Sequence, residues 1–237
     1  SADKKLQTFD IVLANPPFNL NSSAHQVWKD GDPYGRDAFG SPPKNSANMA
    51  FIQHMIASLK PQGRMAVVCS HGSLFRAREQ SIRKSLIEAD LIEAIIGLGP
   101  GIFSSTMIPT VVLVINKRKS PERQNHVLFI DASQAIEPSS RRQNKITAEG
   151  LESITGLVRE KISDDRRARL VALDEIRGYD FNLNIGHYVN LELARLRDHA
   201  EALPGWCMYG IEDVATISRE NEAGFDESQD SVVIRPN

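Results

Sequence analysis

The apolar residues of this chain fall into short, near-continuous runs separated by stretches of helical spacing, and this alternation restricts the fold more than any other feature. "DIVLA" (Asp10 to Ala14), "RMAVVCS", "LIEAIIGL", "IPTVVLVINK" and "HVLFIDAS" are too short for buried helices. Runs of this kind read as strands covered on both faces. Between the first two, Phe51, Ile52, Met55, Ile56 and Leu59 recur at helical spacing, with Ser46 or Asn48 as N-cap and Pro61 and Gly63 closing the element. "RAREQSIRKSLIEA" is a second helix that turns Ile82 and Leu86 inward. The order β-α-β-α-β followed by two more strands predicts an α/β fold, a mostly parallel sheet with helices on its faces.

The 237 residues, 41% of them hydrophobic, can bury one sizeable core or one core with an appendage. The longest uninterrupted apolar stretch, Val111 to Ile115, is far too short to span a bilayer, and no membrane role is expected. No basic region followed by an apolar segment opens the chain, and Cys69 and Cys207 have no ligand spacing. A reducing cytoplasm suits that usage, and no metal site is expected. The net charge of −2 neither favours nor disfavours a polyanionic partner, because local patches decide that.

Organisation follows texture. Residues 1–135 carry the sheet pattern. Residues 136–202 begin with the polar "EPSSRRQNK" and continue with the helix "TAEGLESITGLVREKI", N-capped by Thr147, as a linker and helical extension. Residues 203–237 form a short β-like tail after a Pro-Gly-Trp sequence. Asn19 to Ser46 is rich in Gly, Pro, Asn, Ser and Asp, a long surface loop expected to order only with a ligand.

The first strand stops at Asn15-Pro16-Pro17-Phe18. Prolines end a ladder simply because they lack an N–H, so the tetrapeptide has an ordinary reading as a strand terminator. It also stands at the carboxyl end of a strand, where open α/β sheets bind ligands. Pro16 forces Asn15 to be extended, so the Asn15 side-chain carbonyl and the Pro16 backbone carbonyl can converge on a group bearing two N–H donors. Pro17 adds no competing donor. Acceptors so placed stabilise positive charge developing on an aryl amine, and Phe18 offers its ring a stacking face. Elsewhere, Gly97 to Gly101 ("GLGPG") is read as a turn, since no helix follows to supply an anion-binding dipole. Arg76 and Arg78, with Arg83 and Lys84, form a basic cluster that either meets phosphates or is a solvated helix face, the latter favoured by a Glu79–Arg83 pair at i,i+4.

"FDIVLANPPFN", with "NSANMAFIQHMIASLKPQGRMAVVCSHGSLFR", "IRKSLIEADLIEAIIGLGPGIFSSTMIPTVVLVINK", "HVLFIDAS" and "YDFNLNIGHYV", resembles the modification (M) subunit of type I restriction-modification systems, within the adenine-N6 DNA methyltransferases. The similarity covers about Phe9 to Val189. Ser70 and His71 depart from it, standing where the family often has a proline before "NG". The resemblance implies the C-terminal half of a Rossmann-like methyltransferase sheet, with the Gly-rich S-adenosylmethionine loop and the ribose-holding acid in a first half this chain lacks. It implies Asn15, Pro16, Pro17 and Phe18 as catalytic residues, with Asn15 and Pro16 at the methyl end of the cofactor, and duplex DNA with a flipped adenine as substrate. Trp28 and Tyr34 in the long loop, with Arg76 and Arg78, are the expected DNA contacts. "LPGWCMYGIEDVATIS" looks like the start of a target-recognition domain, so the expected partners are a fused module of that kind or a separate specificity subunit, and a restriction (nuclease) subunit. The same tetrapeptide serves enzymes that methylate RNA or protein glutamine, and a non-catalytic DNA-binding or assembly module is the alternative from another class.

Overall fold

The strands form where β-branched and aliphatic runs can be buried from both sides, and their order follows from which connections carry a helix. The computed structural model describes residues 5–18, 20–21, 24–28, 31–103, 109–140, 143–160 and 167–189. Strand β1 (Phe9–Ala14) leads through α1 (Ala24–Val27), the long loop and α2 (Asn48–Ala57) to β2 (Leu59–Ser70). Two 3-10 turns, His71–Leu74 and Ala77–Glu79, run into α3 (Gln80–Glu88), and β3 (Ile92–Leu98) follows. Then come β4 (Thr110–Asn116), β5 (His126–Ala132), a hairpin of β6 (Ile136–Ser140) with β7 (Gln143–Ile146), and α4 (Ala148–Glu160). Strand β8 (Ala168–Ala172) and α5 (Leu173–Gly178) complete the elements.

The principal sheet has the order β1-β2-β4-β3-β5-β8. It is mixed rather than mostly parallel. β1 pairs parallel with β2 and β3 with β5, whereas β4 runs antiparallel to both β2 and β3, and β8 antiparallel to β5. The cause is the connection between β3 and β4: no helix intervenes among its described residues, and β4 folds back as an antiparallel partner. Gly97 to Gly101 begins that connection, and Gly101 at φ 71° makes the turn expected of it.

On one face, Met65, Val67 and Cys69 of β2 lie opposite Ile115, Leu113 and Val111 of β4, all buried beneath Ile52, Ile56, Ile82 and Leu86 of α2 and α3. Full burial of each such aliphatic side chain is worth about 1.5–3 kcal/mol. On the other face, Ile154 and Leu157 of α4 cover Ala94, Ile96, Leu128 and Ile130 of β3 and β5. That cover does not reach β1. Leu13 pairs in register with Ala66, and Val68 with Val112, yet Ile11 and Leu13 are 69% and 77% exposed. An apolar sheet face therefore lies open beside the outer edge of β1, which pairs with no other strand among the described residues.

Residues 136–189, read from sequence as a linker and helical extension, contribute β8 to the principal sheet, and Phe181, Leu183, Ile185, Tyr188 and Val189 enter its core. Tyr188 stacks on Phe129 with centroids 4.1 Å apart, and the Leu183 N–H donates to the Leu74 carbonyl at 2.9 Å. Asp180 and Phe181 both adopt left-handed φ, 57° and 56°, which non-glycine residues enter only at a cost. All described residues belong to one compact unit ending at Asn190. The tail over 203–237 and the rest of the extension, 190–202, lie outside the described residues. So do Arg141 and Arg142. Among the described residues no helix is long and apolar enough to cross a membrane, and no group of His, Cys, Asp or Glu could hold a metal ion.

Candidate active site at the carboxyl edge of the sheet

β1, β2, β3 and β5 all point their carboxyl ends to one edge, and the start of β4 joins them there. Asn15 follows β1 directly. It is exposed, and its side chain makes no hydrogen bond among the described residues, so its amide is presented rather than spent. Pro16 and Phe18 are half-buried and Pro17 is exposed. Leu13, Ala14 and Asn15 line a cleft of about 390 Å³ with Ala66, Val68 and Val112. The polar end of the cleft is thus Asn15 and its wall is the open apolar sheet face.

The 20–47 loop carries internal structure of its own. Asp32 accepts from the backbone N–H of Tyr34 and Arg36, each at 3.0 Å, and pairs with the Arg36 guanidinium through Nε at 2.9 Å. The Arg36 hydrogen bond, with its charge, holds the Asp32 carboxyl down at about 2. Trp28 and Tyr34 pack their rings against the same guanidinium, 5.3 and 5.1 Å from its centre. Trp28 is 5% exposed, so its indole anchors the loop, while Tyr34 is half-buried. At the neck, the Ala47 N–H donates to the Leu20 carbonyl at 2.9 Å.

Ser46 and Asn48, read from sequence as alternative N-caps of α2, cap nothing. The Ser46 hydroxyl donates to Glu79 Oε1 at 2.6 Å, and the Asn48 amide donates to the hydroxyls of Ser70 and Ser73 at 3.0 and 2.9 Å. The loop neck is therefore fastened to the carboxyl end of β2, the strand adjoining Asn15. Glu79 and Arg83 are buried as well, contrary to the solvated i,i+4 pair expected. Arg83 donates to the carbonyls of Arg76 at 2.8 Å, Phe181 at 3.1 Å and Ser73 at 3.3 Å. Helical periodicity places residue 83 beside inward-facing Ile82 and Leu86, but only the tertiary contact with Phe181 shows what its charge does.

Of the basic residues named from sequence, Arg78 is exposed and Arg76 half-buried over Gly72, where an added Cβ would meet the guanidinium at 2.6 Å. His71 is half-buried, edge-on to Phe75 at 5.4 Å, and burial lowers its pKa. Burial, reinforced by the Glu79 charge, pushes the Cys69 thiol up to about 12, which removes it as a nucleophile.

Residues 1–195 match the model of the N-6 DNA Methylase family. The chain belongs to that family. It is 37% identical over 188 residues to the type I restriction enzyme MjaVII methylase subunit of Methanocaldococcus jannaschii, covering 76% of this chain and 32% of that protein. It is also 37% identical over 195 residues to the HindI methylase subunit of Haemophilus influenzae, covering 79% and 42%. Among solved structures, the type I restriction-modification methyltransferase subunit of Streptococcus thermophilus superposes with a TM-score of 0.72 at 38% identity, covering 80% of this chain and 39% of that one. The fold is accordingly the Rossmann-like one of these methyltransferases. The chain spans about a third to two fifths of the length of these relatives.

Proposed function

We propose that this chain is the catalytic-edge portion of an S-adenosylmethionine-dependent adenine-N6 DNA methyltransferase of a restriction-modification system. The observation that carries the reading is Asn15, exposed and unbonded at the carboxyl end of β1, next to the half-buried ring of Phe18. An adenine flipped from the duplex would donate both hydrogens of its amine to the Asn15 side-chain oxygen and the Pro16 carbonyl, with Phe18 against its ring. Two acceptors draw the nitrogen lone pair out of conjugation and stabilise the positive charge that develops there. Pro17 keeps competing N–H groups away.

S-adenosylmethionine, when bound, supplies the methyl group. Asn15 and Pro16 fit the methyl end of such a ligand, because the Asn15 amide has no other partner and opens into the cleft lined by Leu13, Ala14 and Val68. The open apolar face and unpaired edge of β1 are where further cofactor-binding strands would pack. Arg78, exposed, with Arg76 on the turns that follow β2, would meet phosphates and fix the register of the duplex, whereas Tyr34 neighbours Gly35, which lines a cleft with Pro61, Leu91 and Lys117 at the opposite edge of the sheet. Partners of the whole assembly would be a specificity subunit or fused target-recognition domain and a restriction (nuclease) subunit; the relatives' names, methylase subunits of type I restriction enzymes, support an assembly of several subunits.

The test is expression of the full-length polypeptide with its companion subunits in a host lacking adenine methylation. Mass spectrometry of digested DNA should show N6-methyladenine confined to one sequence context. Methyl label found instead in RNA or in protein glutamine would move the chain to the related amino-group enzymes, and no transfer at all would favour a binding or assembly module.

A further inference from the structure

A cleft of about 430 Å³ lies at the amino edge of the sheet, opposite Asn15. Gly35, Ala38 and Phe39 of the long loop line it, together with Pro61 of β2, Leu91 before β3 and Lys117 after β4. Ile56 of α2 and Ala89 after α3 add to walls whose only polar side chains are Gln53 and Lys117.

The walls are held from behind. Gln53 is 1% exposed and spends its amide on the loop, accepting from the Phe39 N–H at 3.0 Å and donating to the Gly40 carbonyl at 2.9 Å. On the sheet side the Asn116 N–H donates to the Leu91 carbonyl at 2.9 Å, and the Lys117 N–H to the Gly63 carbonyl at 3.1 Å. A concave, preformed, apolar cleft of this size with one or two placed polar groups has the form of a small-molecule site.

Lys117 decides the class of molecule. Its side chain is half-buried, and among the described residues its ammonium makes one hydrogen bond, to the Leu59 carbonyl at 2.8 Å. No carboxylate pairs with it there, whereas nearby Lys60 and Lys119 are paired with Asp10 and Asp90. Burial without a compensating charge lowers its pKa. An ammonium has three donors, so two remain for a ligand. A charge drawn part-way out of water is costly until an anion meets it, and the two free donors suit the two oxygens of a carboxylate. A second charge on the ligand would lie against Phe39, Ile56 or Leu91, and is excluded.

We propose that this cleft binds a small apolar monocarboxylate, its head group on Lys117 and its hydrocarbon body against Phe39, Ile56 and Leu91, and that the bound molecule fastens the long loop to the sheet. The loop wall and the sheet wall come from segments distant in sequence. A ligand touching both therefore stabilises the arrangement in which both are in place by its own binding free energy. The inference goes beyond the methyltransferase reading and does not depend on it.

The experiment uses the full-length polypeptide, octanoate as the probe and octan-1-ol as its uncharged counterpart, with calorimetry for binding and hydrogen exchange for residues 35–40. Octanoate should saturate one site with a Kd below about 1 mM, and octanol should bind more weakly. Lys117→Met should weaken octanoate about 10- to 100-fold and leave octanol unchanged, whereas Lys117→Arg should keep octanoate within about fivefold of the parent. Ala89→Trp, which fills the cleft from an exposed position, should abolish binding of both. At ten times the parental Kd, octanoate should raise the protection of the Phe39 and Gly40 amides about tenfold in the parent and less than about twofold in Lys117→Met. Octanoate that binds Lys117→Met or Ala89→Trp as it binds the parent, or that binds without protecting the loop, overturns the proposal. No saturable binding overturns it too, and would mean that another part of the polypeptide covers the cleft. None of these readouts needs methyl transfer, so this proposal and the methyltransferase reading fail separately.

Discussion

Replacing Arg83 by Met should destabilise this fold far more than any other single change among its basic residues. The guanidinium is 2% exposed and donates to three backbone carbonyls, those of Ser73, Arg76 and Phe181. Methionine fills much of the same volume, so the loss is of hydrogen bonds and charge rather than of packing. A hydrogen bond to a charged group is worth about 1.5–3 kcal/mol, but the three share one donor group and the carbonyls partly rehydrate, so their sum overstates the effect. About 3–5 kcal/mol is the figure expected, because three carbonyls lose a charged donor and the buried Glu79 carboxylate, which makes no ion pair with Arg83, loses a nearby positive charge. The Phe181 carbonyl adds to it, because that residue already sits at left-handed φ and needs its anchors. For a domain of this size the melting temperature should fall by about 6–20 °C. Thermal and urea unfolding followed by circular dichroism would measure it. Arg78→Met, at an exposed position of the same cluster, should stay within about 0.5 kcal/mol of the parent. If Arg83→Met were as mild as Arg78→Met, the buried role assigned to Arg83 would be wrong.

Three further outcomes are expected. The Asp32 carboxyl is held at about 2 in the folded loop against an ordinary value of 3.8, so its stabilisation is complete above pH 4 and disappears as pH falls toward 2. The protection of the Tyr34 and Arg36 amides, measured against their intrinsic exchange rates, should fall over that window, and Asp32→Asn should lower it already at neutral pH, at a local cost of about 1–2 kcal/mol. Phe18→Ala should weaken capture of a flipped base by about 1–3 kcal/mol in a base-analogue fluorescence assay, whereas Phe18→Tyr or Trp should keep most of it, since either ring still stacks. Calorimetry on residues 1–237 alone should show negligible S-adenosylmethionine binding, and low-micromolar affinity would mean that the cofactor site has been misplaced.

Period and composition sufficed to mark β1, β2, β3, β4 and β5, because each is an aliphatic run of strand length bounded by Gly, Pro or Asn. They also placed α2 and α3, whose inward residues recur at helical spacing. Strand direction was not legible: β4 looks like any buried strand, and only its pairing with β2 and β3 reveals that it runs antiparallel. "ARLVA" of β8 is too short and too polar at its flanks to be told from an extension, and it becomes a strand only through pairing with β5. The end of β1 before Asn15 was readable because prolines announce a strand end, and the sheet class gives that end the role proposed for it. Trp28, Glu79 and Arg83 were not, since polarity predicts exposure and burial of a charged or aromatic side chain depends on partners distant in sequence: Phe181 stands 98 residues from Arg83.

The central claim is that Asn15 activates an adenine amine, and single-turnover methylation by the full-length Asn15→Ala enzyme tests it most directly when paired with DNA binding on the same sample. Removal of one preorganised group that stabilises developing charge costs about 10²–10³ in rate. Affinity for the duplex rests mainly on phosphate contacts and should stay within about twofold of the parent. The account predicts that split: N6-methyladenine formation slowed at least 100-fold with binding intact. Methylation at the parental rate by Asn15→Ala would contradict it, and would leave Asn15-Pro16-Pro17 as nothing more than the end of a strand.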